Sequence, residues 1–210
     1  MRHFFLSLLL GLCSAFSVAE PTAAPEDQAA EQLLAALAEL KYLQGDFVQT
    51  QSGEGGDNLG ESSGRFRLLR PGYFSWEILA PDQQLVIADP EYIWHYDRDL
   101  ETVSRRPVGE DATLSPLQVL GGDESALRDN YEVQAAGEGI FILTPRVSEA
   151  GFEQATIALS GGAIQRLVID DSIGQRVEVQ FSNLDSNTPL TAEDFSFTPP
   201  DGADLFYHER

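Results

Sequence analysis

The stretch Arg70-Pro71-Gly72-Tyr73-Phe74-Ser75-Trp76 brings a cation, a turn and an aromatic face together within seven residues. Alternation puts Phe66, Leu68 and Arg70 on one side of a strand and Arg65, Arg67 and Leu69 on the other. After the Pro71-Gly72 break, Phe74, Trp76 and Ile78 share one face and Tyr73, Ser75 and Glu77 share the opposite one. A guanidinium cannot shed its charge, so in register with an apolar face it needs acceptors. Two readings stand at this point. Arg70 is either an edge residue whose head group reaches water, or a donor that holds something across an apolar cavity.

The other reactive residues do not assemble. Asp170 and Asp171 are adjacent, and neighbours on a strand point to opposite faces, so they do not form a carboxylate pair. His95 lies among Tyr92, Trp94 and Tyr96, and alternation puts it on the face opposite those aromatics. Gly53-Glu54-Gly55-Gly56-Asp57 is glycine-rich but acidic, which suits a hairpin turn and would repel a phosphate. The sequence has no Gly-x-Ser-x-Gly elbow, phosphate loop, dinucleotide fingerprint or helical His pair. A binding protein is therefore expected rather than an enzyme, with no cofactor and no metal centre.

The ends and the composition narrow the setting. Arg2 and His3 precede an apolar run from Phe4 to Leu12, and Ser17-Val18-Ala19 offers small residues where a signal peptidase reads. Residues 1–19 are expected to be a signal peptide cleaved after Ala19, and 20–210 a single exported domain. The run is too short to span a bilayer. The bulky Leu12 before Cys13 argues against lipid attachment there. Beyond Cys13 there is no cysteine, which excludes disulfides, Cys-ligated zinc and thiol catalysis from the mature chain. Lys+Arg 13 against Asp+Glu 34 gives a net charge of −21, which disfavours nucleic acid and anionic membrane surfaces as partners.

The elements that must position Arg70 read as one helix and many strands. Pro25-Glu26-Asp27 suits a first helical turn, and Leu33, Leu37, Leu40 and Gln44 fall at helical spacing up to Gly45. Strands are expected over 46–51, 64–70, 73–79, 84–88, 92–96 and 101–105, then 131–135, 140–144, 153–159, 163–169 and 175–181. Short connections favour antiparallel pairing. Between the two halves, Ser115 and Pro116 suit a helix start and Gly121-Gly122 a stop. Two short helices are expected there, over 114–120 and 123–128, carrying Leu114, Leu117, Val119, Leu120 and Leu127. Helices this short need an apolar surface to lie on, which a strongly curved antiparallel sheet would supply while enclosing a cavity.

In order and spacing these segments resemble the periplasmic outer-membrane lipoprotein carrier family, LolA. The likeness runs through Gly45-Asp46-Phe47-Val48-Gln49-Thr50-Gln51, Arg70-Pro71-x-x-Phe74-x-Trp76, and Pro81-Asp82 to Leu85-Val86-Ile87-Ala88-Asp89. It continues through Ile93-Trp94-His95-Tyr96-Asp97, Leu143-Thr144-Pro145 and Phe195-Ser196-Phe197-Thr198-Pro199-Pro200-x-Gly202. The resemblance implies a mainly β fold: a half-open antiparallel barrel with an α-helical lid over an apolar cavity. It also implies a monomeric periplasmic chaperone. Such a protein takes acylated lipoproteins from an inner-membrane lipoprotein-releasing ABC transporter, shields their acyl chains, and passes them to an outer-membrane lipoprotein receptor.

Carried over by position, Arg70 becomes the lid latch that bonds backbone carbonyls of the lid helices, and Phe74 a residue important for transfer. Phe47, Phe66, Leu68, Phe74 and Trp76 become the acyl-chain wall, and Leu114, Pro116, Leu117, Val119 and Leu120 the lid. The strong negative charge is not a feature the resemblance calls for. A related-fold protein that senses lipids or lipoproteins in the cell envelope is the alternative; such regulators usually carry a second domain, for which this chain is short.

Overall fold

The computed structural model describes residues 25–108, 124–147 and 151–208. The chain opens with helix α1 (Pro25–Ala38), followed by β1 (Tyr42–Ser52), β2 (Asn58–Leu69), β3 (Tyr73–Ala80) and β4 (Gln84–Ala88). Next come β5 (Tyr92–Asp97), β6 (Thr102–Pro107) and the short helix α2 (Glu124–Asn130). The second half holds β7 (Tyr131–Gly137), β8 (Ile140–Pro145), β9 (Phe152–Ser160), β10 (Ala163–Asp171) and β11 (Arg176–Asp185). A 3₁₀ turn (Ala192–Phe195) and β12 (Asp204–Tyr207) close it.

The twelve strands of the described residues form one sheet, in the order β12-β6-β5-β4-β3-β2-β1-β11-β10-β9-β8-β7. Sequential neighbours pair antiparallel, as short turns demand, and β1 with β11 joins the two halves. The sheet must curve strongly. β2 and β7 are six strand positions apart, about 29 Å on a flat sheet at about 4.8 Å per strand. Yet α1, only about 21 Å long at about 1.5 Å per residue, both packs on β7 and is bonded at its last turn by Arg70 at the end of β2. The sheet wraps around its helix, with β12 and β7 as its edge strands among the described residues.

Two expectations are corrected. Gly45 does not end the first helix: α1 stops at Ala38, and Leu40 N–H closes a turn onto Leu37 O at 3.0 Å. Strand pairing takes over from Tyr42, opposite Leu69, so Leu43 is buried from the strand and Leu40 from the turn before it. Gly45 instead lies inside β1, where a Cβ would sit 2.7 Å from Ser182 O and 3.2 Å from Phe66. The sheet is also not wholly antiparallel, since β12 runs parallel to β6 at one edge. Its path is set by the 3₁₀ turn and residues 196–203, which cross one face of the sheet before reaching that edge.

The core lies between α1 and the sheet. Leu33, Leu34, Leu37 and Leu40 join Phe47, Phe66, Leu68, Trp76, Leu127, Tyr131, Leu143, Ile157, Leu167 and Phe181 in one buried apolar cluster. Of the two expected short helices, the second is α2. The first, with Leu114, Pro116, Leu117, Val119 and Leu120, lies outside the described residues.

Candidate functional site

Arg70 follows the last residue of β2, and its backbone N–H donates to Lys41 O at 2.9 Å. Gly72, at φ +84°, turns the chain into β3, a conformation that glycine adopts without a Cβ penalty. Held between these two points, the side chain leaves the sheet on the same face as Phe66 and Leu68, as alternation requires. Arg70 Nη1 donates to the carbonyl oxygen of Leu37 in α1, a helix outside the expected latch, whose lid residues 114–120 lie outside the described residues. The last carbonyls of a helix have no partner within it and carry the negative end of its dipole. The last turn of α1 holds no basic residue of its own, so β2 supplies the cation from across the layer. Burial pushes the Arg70 pKa down, and the nearby Glu124 of α2 pulls it back up. Arg70 therefore bears on both helices: a hydrogen bond to α1 and an electrostatic attraction to α2.

Beneath α1 lies the aromatic wall. Phe47, Phe66, Leu68 and Trp76 are 1%, 4%, 2% and 8% exposed, whereas Phe74 is only half-buried against them. Phe47 and Trp76 stack with centroids 3.7 Å apart and planes 19° apart. Phe74 continues the stack at 6.0 Å from Trp76. Phe181 on β11 meets Phe66 edge-on at 4.9 Å and Trp76 at 6.2 Å. Gly64 makes the stack possible, since a Cβ there would lie 1.8 Å from Glu77 O and 2.9 Å from the Phe47 ring. All five wall residues expected from the sequence thus share one face and one cluster with α1.

The opposite face is different in kind. A cleft of about 540 Å³ is lined there by Gln44, Gly45, Asp46, Arg65, Arg67, Ser75, Glu77, Asn183 and Asp185, with Phe66 its one apolar side chain. Its charges are already engaged: Glu77 accepts from Arg65 at 3.0 Å and Arg98 at 2.8 Å, and Asp46 accepts from Asn183 at 2.7 Å. Burial raises the Glu77 pKa, but the two arginines outweigh it and the net shift is downward. So polar a cleft offers nothing to a hydrocarbon chain.

On the same face, the 3₁₀ turn and β12 bring an aromatic cover that sequence reasoning missed. Phe195 packs on Tyr73 at 5.6 Å, and Phe197 on Trp94 and Tyr96 at 5.5 and 6.0 Å. Arg105 lies over the rings of Tyr92, Trp94 and Tyr207 at 4.4–5.3 Å. The signal was present in Tyr92, Trp94 and Tyr96, three aromatics on one side of a strand, which require something to lie on them. His95 is on the other face, as alternation indicated, within 3.2 Å of Gln84 Oε1. Asp170 and Asp171 part likewise: Asp170 accepts from Arg176 at 2.6 Å, while Asp171 caps the turn at Ile173 and Gln175. No group of metal-ligating side chains forms among the described residues.

The family model described as outer membrane lipoprotein carrier protein LolA matches residues 38–198. The chain belongs to the LolA family. The outer-membrane lipoprotein carrier protein of Chromohalobacter salexigens is 36% identical over 208 residues, covering 98% of both chains. That of Dechloromonas aromatica is 35% identical over 181 residues, with 84% of this chain and 86% of the relative covered. A solved structure of an uncharacterized conserved protein from Thermus thermophilus shares the fold at TM-score 0.55 and 17% identity. It covers 86% of this chain and all of its own. Arg70, Phe47, Phe66, Leu68, Phe74 and Trp76 lie within the matched residues.

Proposed function

We propose that this LolA-family chain is a periplasmic carrier of acylated lipoproteins and has no catalytic role. In this reading residues 1–19 are a signal peptide and 20–210 act as one carrier unit. The protein accepts cargo from an inner-membrane ABC transporter, shields the acyl chains between α1 and the aromatic wall, and delivers them to an outer-membrane receptor. The observation that carries the reading is the Arg70 bond to the Leu37 carbonyl, which ties a helix down over an apolar, aromatic surface.

Hydrocarbon burial contributes about 0.8 kcal/mol per CH₂. A carrier therefore needs a large apolar lining and a closure weak enough to yield. A charge-assisted hydrogen bond of about 1.5–3 kcal/mol meets that need. Cargo acts by binding the open state better than the closed one. The aromatic wall also has its partners within the fold when empty, which keeps the unloaded protein soluble.

Mixing the mature protein with a purified acylated lipoprotein, then separating by size in detergent-free buffer, tests this. A soluble one-to-one complex is the expected result, with none for the same lipoprotein lacking its lipidated cysteine. Equal recovery of the unlipidated form would overturn the reading.

A further inference from the structure

Tyr131 is the first residue of β7, directly after α2, and is 1% exposed in the same apolar cluster as Trp76. Its ring neighbour among the described residues is Phe152, at 6.2 Å between centroids. Among the described residues its hydroxyl has no hydrogen-bond partner. Buried hydroxyls are nearly always paired, and one that is not carries a cost that a phenylalanine of the same shape would avoid. Burial also pushes its pKa up to about 12, so the group stays a neutral donor at physiological pH. Its position matters as much as its state: α1 packs on β7, so Tyr131 belongs to the strand that α1 would uncover on lifting.

The inference rests on the carrier reading and deepens it. An acyl chain ends in an ester or amide carbonyl, a good hydrogen-bond acceptor that must follow the first methylenes into the apolar layer. Left without a donor, that carbonyl would oppose binding. We propose that Tyr131 is the anchor for this carbonyl, its hydroxyl donating to the ester or amide oxygen of the cargo. The hydroxyl is unsatisfied when the layer is closed and satisfied when it is loaded. That difference biases the protein toward the loaded state, as a ligand must do to shift an equilibrium. It also distinguishes an acyl chain from a plain hydrocarbon of equal length.

The test compares two synthetic peptides on the mature protein and on Tyr131→Phe. One bears two chains through ester bonds, the other the same chains through ether bonds. Wild type is expected to bind the ester peptide about fivefold more tightly than the ether peptide, and Tyr131→Phe to lose that preference while holding the ether peptide as well as wild type. At neutral pH the variant should melt no lower than wild type. Loss of affinity for both peptides alike, or for neither, would overturn the anchor while leaving the carrier reading intact. A lower melting temperature would overturn it as well, by showing that the hydroxyl is already satisfied in the closed state. If wild type bound neither peptide, the carrier reading would fall and the anchor with it.

Discussion

Arg70 Nη1 on the sheet and the amide of Leu40 both donate to one oxygen, the carbonyl of Leu37 in the last turn of α1. The helix end is thus closed by its own chain on one side and by a cation from β2 on the other. Only the second of these bonds spans the layer between α1 and the wall.

Arg70→Leu should fold, still accept acylated cargo, and pass it on poorly. Without the donor the closed state no longer competes with bound acyl chains, so the loaded state becomes favoured. Transfer of bound lipoprotein to outer-membrane vesicles, followed with time, checks this. Transfer at the wild-type rate would refute the latch even with the fold intact.

Trp76→Ala should cost about 3–5 kcal/mol of stability in urea unfolding, the range for losing a large buried aromatic. The ring is 8% exposed and stacked on Phe47 at 3.7 Å. Trp94→Ala, on the opposite face and only half-buried, should cost less. Equal losses would mean that the wall is not the main core.

Gly64→Ala should destabilise far more than Gly60→Ala on the same strand. An added Cβ at Gly64 meets Glu77 O at 1.8 Å, whereas at Gly60 nothing lies within 4 Å. Overpacking of this kind costs about 1–3 kcal/mol or more. Similar melting temperatures for the two variants would contradict the close approach of β2 to β3 at this point.

Tyr131 sets an alkaline signature. Its folded pKa, about 12, lies above the ordinary value of 10.0 because burial disfavours the phenolate. The sign follows: its contribution to stability is complete below about pH 10 and is lost as pH rises toward about 12. Melting temperatures of wild type and Tyr131→Phe should therefore run parallel up to pH 10 and diverge above it, with wild type falling faster. Parallel curves throughout would place the phenol in contact with water.

Much of this was legible in the alternation of single strands. Phe66, Leu68 and Arg70 on one side, continued by Phe74 and Trp76 after the turn, already marked a cation beside an aromatic face. His95 and the Asp170-Asp171 pair were likewise separated by strand period alone. Alternation could not say which element accepts from Arg70. The Leu37 carbonyl is brought there by the turn that links α1 to β1, whose Lys41 carbonyl takes the Arg70 N–H, and by the pairing of β1 with β2. Nor could it find the end of α1. Leu40 and Gln44 continue the helical spacing, and only pairing with β2 shows that the chain is extended by Tyr42. The aromatic cover from Phe195 to Tyr207 was missed for the same reason: its partners are some hundred residues away.

The most direct test of the carrier account is release of lipoproteins from spheroplasts. Purified mature protein is added to washed spheroplasts, the cells are pelleted, and the supernatant is probed for acylated lipoproteins. The account predicts lipoprotein in the supernatant in complex with the added protein, and none when an unrelated acidic periplasmic protein replaces it. A supernatant free of lipoprotein in the presence of the folded protein would contradict it.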